Sequence, residues 1–120
     1  MGQSLSKILV HAIFSTKERK RWLDEEVRNA LFPYMATVLN NLDCHAFEVG
    51  GTEDHVHILC ALSKNLAAAQ LVEKVKIPTS RWMKSQGRAY ETFHWQNGYG
   101  AFSVSASHKV RVQEYIQSQK

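Results

Sequence analysis

His55-Val56-His57 is the sharpest chemical feature of this 120-residue sequence. On a strand, residues i and i+2 leave the same face. Both imidazoles therefore stand side by side, while Val56 points to the opposite face. Two histidines so placed can share one metal ion. They can equally be two residues of a half-exposed strand, hydrogen-bonded to whatever is near, and a metal site needs a third ligand. The end of the chain offers a second set. Val112, Tyr115, Ile116 and Gln119 fall at i, i+3, i+4 and i+7 and share one helix face, with Tyr115 and Gln119 stacked as i, i+4 neighbours. That face reads either as packing surface with an amphipathic Tyr and a terminal Gln, or as a tyrosine nucleophile beside an amide oxygen. A carbonyl-type oxygen suits a hard cation such as Mg²⁺ or Mn²⁺.

Basic residues cluster in three places. A first loop carries Lys17, Arg19, Lys20 and Arg21; a second helix and its tail carry Lys74, Lys76, Arg81, Lys84 and Arg88; the last helix carries Lys109 and Arg111. Trp82, Tyr90, Phe93, Trp95 and Tyr99 lie among them. Cations interleaved with aromatics fit phosphate contacts plus base stacking on a single strand; solvated helix faces over an aromatic core give the same pattern, and Trp82 reads as core. His11, His45, His94 and His108 have no paired spacing and read as structural or surface residues.

The elements that must position these groups follow from periodicity. Residues 5–14 are rich in β-branched and aromatic side chains and predict a strand. Asp24-Glu25-Glu26 places acidic residues at a helix start. Val27, Leu31, Tyr34, Val38, Leu39 and Leu42 continue that helix, which Pro33 is expected to kink or divide. Residues 44–49 and 55–62 predict a hairpin whose turn contains Gly50-Gly51 and Thr52-Glu53-Asp54. Residues 63–65 open a second helix with Leu66, Leu71, Val72 and Val75 near one face; Pro78 disturbs it before Trp82 and Met83. Residues 101–105 predict a fourth strand with Phe102 and Val104 on one face, and Ser107 an N-cap for a last helix from His108. The order β-α-β-β-α-β plus a terminal helix is the split βαβ, ferredoxin-like arrangement, an α+β fold. Its antiparallel sheet carries helices on one face and leaves the other for a site.

Composition bounds the rest. The length predicts one domain, residues 1–120, with a core large enough to need no metal or disulfide staple for folding. Hydrophobic content of 44% and charged content of 22% exclude a disordered or collagen-like chain. Fifteen basic against eleven acidic residues, a net +4, permits an anionic partner without naming it. Cys44 and Cys60 lack C-x-x-C spacing and read as reduced thiols of a cytoplasmic protein. No apolar run reaches the roughly 18 residues of a membrane span. Residues 1–6 fit the M-G-x-x-x-[ST] acylation pattern, but three constrained positions make a weak motif, and the chain is read as unlipidated.

Several segments together carry a resemblance. They are Phe14-Ser15-Thr16-Lys17, Gly50-Gly51, Asp54-His55-Val56-His57, the run from Trp95-Gln96-Asn97-Gly98-Tyr99-Gly100 through Ala101-Phe102-Ser103-Val104-Ser105, and Tyr115-Ile116-Gln117-Ser118-Gln119. In this order they resemble the single-tyrosine HUH transposases of the IS200-like insertion-sequence group, with REP-associated tyrosine transposases as close relatives. The resemblance spans nearly the whole chain. It implies a ferredoxin-like fold, a homodimer, recognition of hairpins at element ends, and metal-assisted cleavage and rejoining of single-stranded DNA through a 5′-phosphotyrosine. Carried over, His55, His57 and Gln119 hold one divalent ion, Mg²⁺ or Mn²⁺, and Tyr115 is the nucleophile, acting in its own subunit or against the histidine pair of the partner subunit. Lys17, Arg19, Lys20, Arg21, Lys76, Arg81 and Lys84 are the candidate nucleic-acid contacts. No small-molecule cofactor and no membrane partner are implied. Two other classes fit the same residues: a ferredoxin-like domain that grips single-stranded DNA or RNA without cutting, and a metal hydrolase that uses water in place of Tyr115.

Overall fold

The computed structural model describes residues 8–119; the acylation-like run and positions 5–7 of the first predicted strand lie outside them. Four strands and three helices follow one another as β1 (Ile8–Ser15), α1 (Glu25–Asn41), β2 (Ala46–Gly51), β3 (His55–Leu62), α2 (Ala68–Lys84), β4 (Gly100–Val104) and α3 (Lys109–Gln117). The sheet order is β2-β3-β1-β4, every pairing antiparallel. This is the expected ferredoxin-like α+β topology. Among the described residues no helix is long and apolar enough to cross a membrane.

Strand alternation sorts side chains into two layers. Val10, Ala12 and Phe14 of β1 join Val56, Ile58 and Cys60 of β3 in the main core, with Val27, Leu31, Met35 and Leu39 of α1 and Leu71, Val72, Val75 and Met83 of α2. The α1 set recurs every four residues, a stripe that a straight helix lays against a sheet. Met35 takes the place expected of Tyr34, which stacks on Trp82 at 5.5 Å between centroids. Cys44 and Cys60 are buried free thiols, and burial pushes Cys60 up to about 12, far from a reactive thiolate.

Four sequence expectations are corrected. Pro33 and Pro78 neither divide nor end their helices. The carbonyls that lose a donor belong to Asn29 and Lys74, both exposed residues, and a carbonyl open to solvent does not need a protein donor. The second helix opens at Ala68 rather than at residues 63–65, with the Gln70 side chain accepting from the Ala67 N–H at 2.8 Å. Gly50 and Gly51 belong to β2 rather than to the turn: they pair with His57 and Val56, and the reversal is Thr52 to Asp54, closed by Thr52 N–H to the His55 carbonyl at 2.9 Å. Finally, Ser107 does not cap the last helix. A short 3₁₀ turn, Ala106–His108, precedes α3, and His108 Nδ1 lies 2.6 Å from Ser105 Oγ.

The two glycines are required by close approach. A Cβ on Gly51 would sit 2.1 Å from the His55 carbonyl oxygen, and one on Gly50 would sit 2.8 Å from Ile116 Cγ2. Gly50 pairs with His57, and paired residues face the same side. So α3 packs on the histidine face, opposite α1 and α2, with Ile116 buried. Burying that side chain contributes about 1.5–3 kcal/mol. Gln113 reaches the Phe47 carbonyl at 3.4 Å, Gln117 reaches Glu48 at 3.0 Å, and Lys109 Nζ sits 3.7 Å from the Phe47 ring centroid. Gly50→Ala is expected to unseat α3 and to cost about 1–3 kcal/mol. Hydrogen exchange should quicken across α3 while β1 and β3 stay protected; unchanged protection of α3 would contradict this packing.

Candidate active site

Three elements converge on the open face of the sheet. β3 contributes His55 and His57, β1 contributes His11, and α3 lays Tyr115 over them. Ring centroids of His55 and His57 are 5.0 Å apart, those of His57 and Tyr115 5.5 Å, and those of His11 and Tyr115 6.3 Å, both tyrosine contacts being edge-on. A cavity of about 510 Å³ opens here, lined by His55, His57 and Tyr115, by Arg19, and by Asn97, Gly98, Tyr99 and Phe102 on the far wall. Tyr115, Tyr99 and Phe102 are about half exposed.

The walls are tied to the core. Trp95 is buried, stacks edge-on against Phe14 and Phe93 at 4.8 Å each, and donates its indole N–H to Thr79 Oγ1 at 3.1 Å. Lys76 Nζ donates to the carbonyls of Gln96 and Gly98, both at 2.8 Å, and Gln96 Oε1 accepts from the Glu18 N–H at 2.8 Å. These bonds set the 96–99 loop at the cavity rim. The aromatics expected between the basic residues thus divide: Phe93 and Trp95 are core, Trp82 and Tyr90 pack against it, and Tyr99 faces the open site, where Phe102 of β4 joins it.

Hydrogen bonds aim the histidines. His57 Nδ1 meets His11 Nε2 at 2.9 Å, while the buried His57 Nε2 has no partner. His55 Nδ1 lies 2.8 Å from Asp54 Oδ1 and 2.9 Å from Thr52 Oγ1. Arg19 in turn grips Asp54 with its Nη2 at 3.1 Å and Nε at 3.3 Å. Burial alone would raise Asp54, but hydrogen bonds from His55, Arg19 and Thr52, with the Arg19 charge, outweigh it and hold the carboxyl at about 2. Burial, with His11 and His55 alongside, pushes His57 down to about 4, and burial lowers His11 as well. His57 and His11 are therefore neutral near pH 7, the form in which a ring nitrogen offers a lone pair.

The remaining expected site residues scatter. Gln119 does not share the Tyr115 cavity. α3 ends at Gln117, and the Gln119 amide donates instead to the Tyr115 carbonyl at 3.2 Å, one of the carbonyls a helix end leaves without an N–H. It lines a neighbouring cleft with Glu25, Arg28 and Glu48. Among the described residues no three His, Cys, Asp or Glu side chains stand close enough to hold an ion. The histidine pair, with a buried unpartnered nitrogen, fits a divalent cation in kind, and the amide stands outside its reach. Of the basic residues Arg19 alone lines the cavity. Lys17 and Lys20 border a separate cleft, Lys20 lying 4.5 Å from the Trp22 ring centroid, and Arg21 is exposed. Lys76 spends two donors on the loop, and Arg81 and Lys84 sit on α2, across the sheet.

His11 was expected to be a structural or surface residue, and it hydrogen-bonds His57 of the pair. The alternation of β1 held the signal: His11 shares a face with Ile13 and Ser15, and Ile13 pairs with His57, which sets His11 diagonally beside it. His45, His94 and His108 stand outside the cavity.

An α+β domain with a histidine pair and a tyrosine on its open face has solved counterparts. A transposase candidate from Deinococcus radiodurans R1 superposes with a TM-score of 0.76 at 22% identity, covering 99% of this chain and 96% of that one. A REP-associated tyrosine transposase, solved bound to a REP hairpin, superposes with a TM-score of 0.67 at 11% identity, covering 97% of this chain and 68% of that one. At these identities the likeness shows the fold. No curated protein sequence matches the chain. The profile of the family described as "Transposase IS200 like" matches residues 4–119. The chain belongs to that family, and so to the DNA-processing transposases.

The depressed His57 predicts an acid-labile fold. Between the unfolded value of about 6.5 and the folded value of about 4 the unfolded chain binds more protons, so stability rises with pH. In EDTA, the urea-unfolding free energy should be highest above pH 6.5 and fall toward pH 4, at up to about 1.4 kcal/mol per pH unit. His57→Gln should flatten that slope; an equal slope in the variant would contradict the assignment.

Proposed function

We propose that the protein is a single-tyrosine DNA strand transferase that cleaves and rejoins single-stranded DNA. The observation that carries this reading is the meeting of His55, His57 and Tyr115 at one cavity. Pure binding does not require a half-exposed tyrosine laid over two aimed imidazoles. In this reading Tyr115 Oη attacks the scissile phosphorus. The P–O bond to the 3′ side breaks, the phenol loses its proton, and the departing 3′ oxygen takes one up. The products are a 5′-phosphotyrosine and a free 3′ hydroxyl. The covalent bond keeps the phosphodiester's energy, so a 3′ hydroxyl can reverse the attack and rejoin a strand without ATP.

A phosphodiester repels a nucleophile, and a phenol of ordinary pKa near 10 is a weak one. His55 and His57 are the residues that would hold a divalent ion, Mg²⁺ or Mn²⁺. Bound there, it would polarise a phosphoryl oxygen and offset developing charge. Gln119 as the third ligand requires its amide to leave the Tyr115 carbonyl, so in this reading the end of α3 is re-seated when substrate or a partner subunit binds. Tyr99 and Phe102 give unstacked bases a face to stack on, Arg19 supplies a cation at the cavity, and Lys17, Lys20 and Arg21 would meet the strand beyond it. Arg81 and Lys84 are not needed at the cleavage point.

The hairpin-bound REP-associated relative supports a hairpin as the recognised DNA. A homodimer remains part of the reading, supported by β4 lying at the sheet edge with Phe102 exposed. One domain, residues 1–120, carries the whole set.

The test is a labelled hairpin oligonucleotide with a single-stranded flank, incubated with Mn²⁺ and run on a denaturing gel. Wild type is expected to give a protein–DNA adduct, and Tyr115→Phe none. His57→Ala should reduce cleavage by at least about a hundredfold, within the range for lost metal assistance, and still bind the hairpin. Cleavage without any adduct would point to water as the nucleophile. Binding without cleavage in wild type would favour the non-cutting module.

A further inference from the structure

Each histidine of the pair is engaged through the same ring nitrogen. His55 Nδ1 faces the Asp54 carboxylate at 2.8 Å, and His57 Nδ1 faces His11 Nε2 at 2.9 Å. We propose that His11 is a positioning residue: it accepts the Nδ1–H of His57, fixes that proton away from the cavity, and so commits His57 to present Nε2. This rests on the proposed reading of His57 as a metal ligand.

The argument starts from the proton. A neutral imidazole carries one N–H, and a nitrogen bearing hydrogen has no lone pair to give a cation. If the His57 proton sits on Nδ1, it donates to His11 Nε2, which must be the acceptor, so the His11 proton sits on its own Nδ1. His57 Nε2 is then left bare. The structure has the matching feature: His57 Nε2 is buried and has no partner, a costly state for a polar atom that no group answers. The opposite arrangement, with His11 Nε2–H donating to His57 Nδ1, would keep the bond between the rings but bury a His57 Nε2–H with nothing to receive it.

His11 therefore does for His57 what Asp54 does for His55, with a neutral acceptor in place of a carboxylate. The difference follows from position. Asp54 stands at the turn, where Arg19 and Thr52 reach it. The β1 position beside His57 lies under α3, in the middle of the sheet, where an unpaired carboxylate would pay heavily for desolvation. The two rings lie end to end and close to coplanar, centroids 5.2 Å apart and planes 29° from parallel, and the β1–β3 ladder fixes both backbones. His57 thus cannot turn its ring without breaking the bond to His11.

The test compares the intact protein with His11→Leu, which has no acceptor, and His11→Gln, whose amide oxygen can accept at about the same place. Mn²⁺ affinity is read from the EPR signal of free Mn²⁺, with His57→Ala alongside and thermal melting as a check on folding. His11→Leu should bind Mn²⁺ about 10–100-fold more weakly, His11→Gln within about threefold of wild type. Long-range ¹H–¹⁵N NMR of metal-free wild type should show the His57 proton on Nδ1. Loss of affinity in His57→Ala but not in His11→Leu, or a His57 proton found on Nε2, would overturn the role of His11 alone. Wild type binding no more Mn²⁺ than His57→Ala would overturn the metal reading, and this proposal with it.

Discussion

The pairing of β1 with β3 is the constraint on which the site depends. Eight residue pairs, from Ile8 with Leu62 to Ser15 with His55, run through the centre of the sheet. A one-residue slip would turn every side chain to the other face. It would send His55 and His57 into the apolar core and Val56 out of it. Core burial of Val10, Ala12, Phe14, Val56, Ile58 and Cys60 therefore fixes the register, and the register fixes the histidines. The same ladder brings His11 beside His57, which neither strand could do alone.

The second constraint is the seat of α3. A Cβ-free position at Gly50 lets Ile116 approach the sheet, and Ile116 is neighbour in sequence to Tyr115. The depth of one buried side chain thus sets how the phenol lies over the imidazoles. Beside it the cavity stays open, with Tyr99, Phe102 and Tyr115 about half exposed at its rim. The far wall is rigid for another reason: Trp95 anchors in the core, and Lys76 holds the loop carbonyls from across the sheet edge. A lysine that reads in sequence as a phosphate contact is, in the fold, a strut for the loop.

Much of this was legible in the residues. Alternation in 55–62 and in β1, and the helical spacing of Val27, Leu31 and Leu39, carried the fold. H-x-H on a strand placed both imidazoles on one face, and the ordered motifs carried the family. What escaped depended on contacts between elements. His11 has no sequence partner, and its role exists only through strand pairing. Gly50-Gly51 reads as a turn because glycine marks turns, yet here glycine serves close approach. The prolines break helices by propensity, but the carbonyls they orphan belong to exposed residues, where solvent access removes most of the penalty. Gln119 at i+4 from Tyr115 predicts a shared face, but the helix ends first, and the amide answers the carbonyl left at that end.

Anomalous diffraction from a crystal soaked in Mn²⁺ tests the centre of this account most directly. One peak is predicted in the Tyr115 cavity, within about 2.0–2.5 Å of Nε2 of both His55 and His57, the range expected for a divalent ion on such donors. No peak there, or one bound through Nδ1 of either histidine, would contradict it.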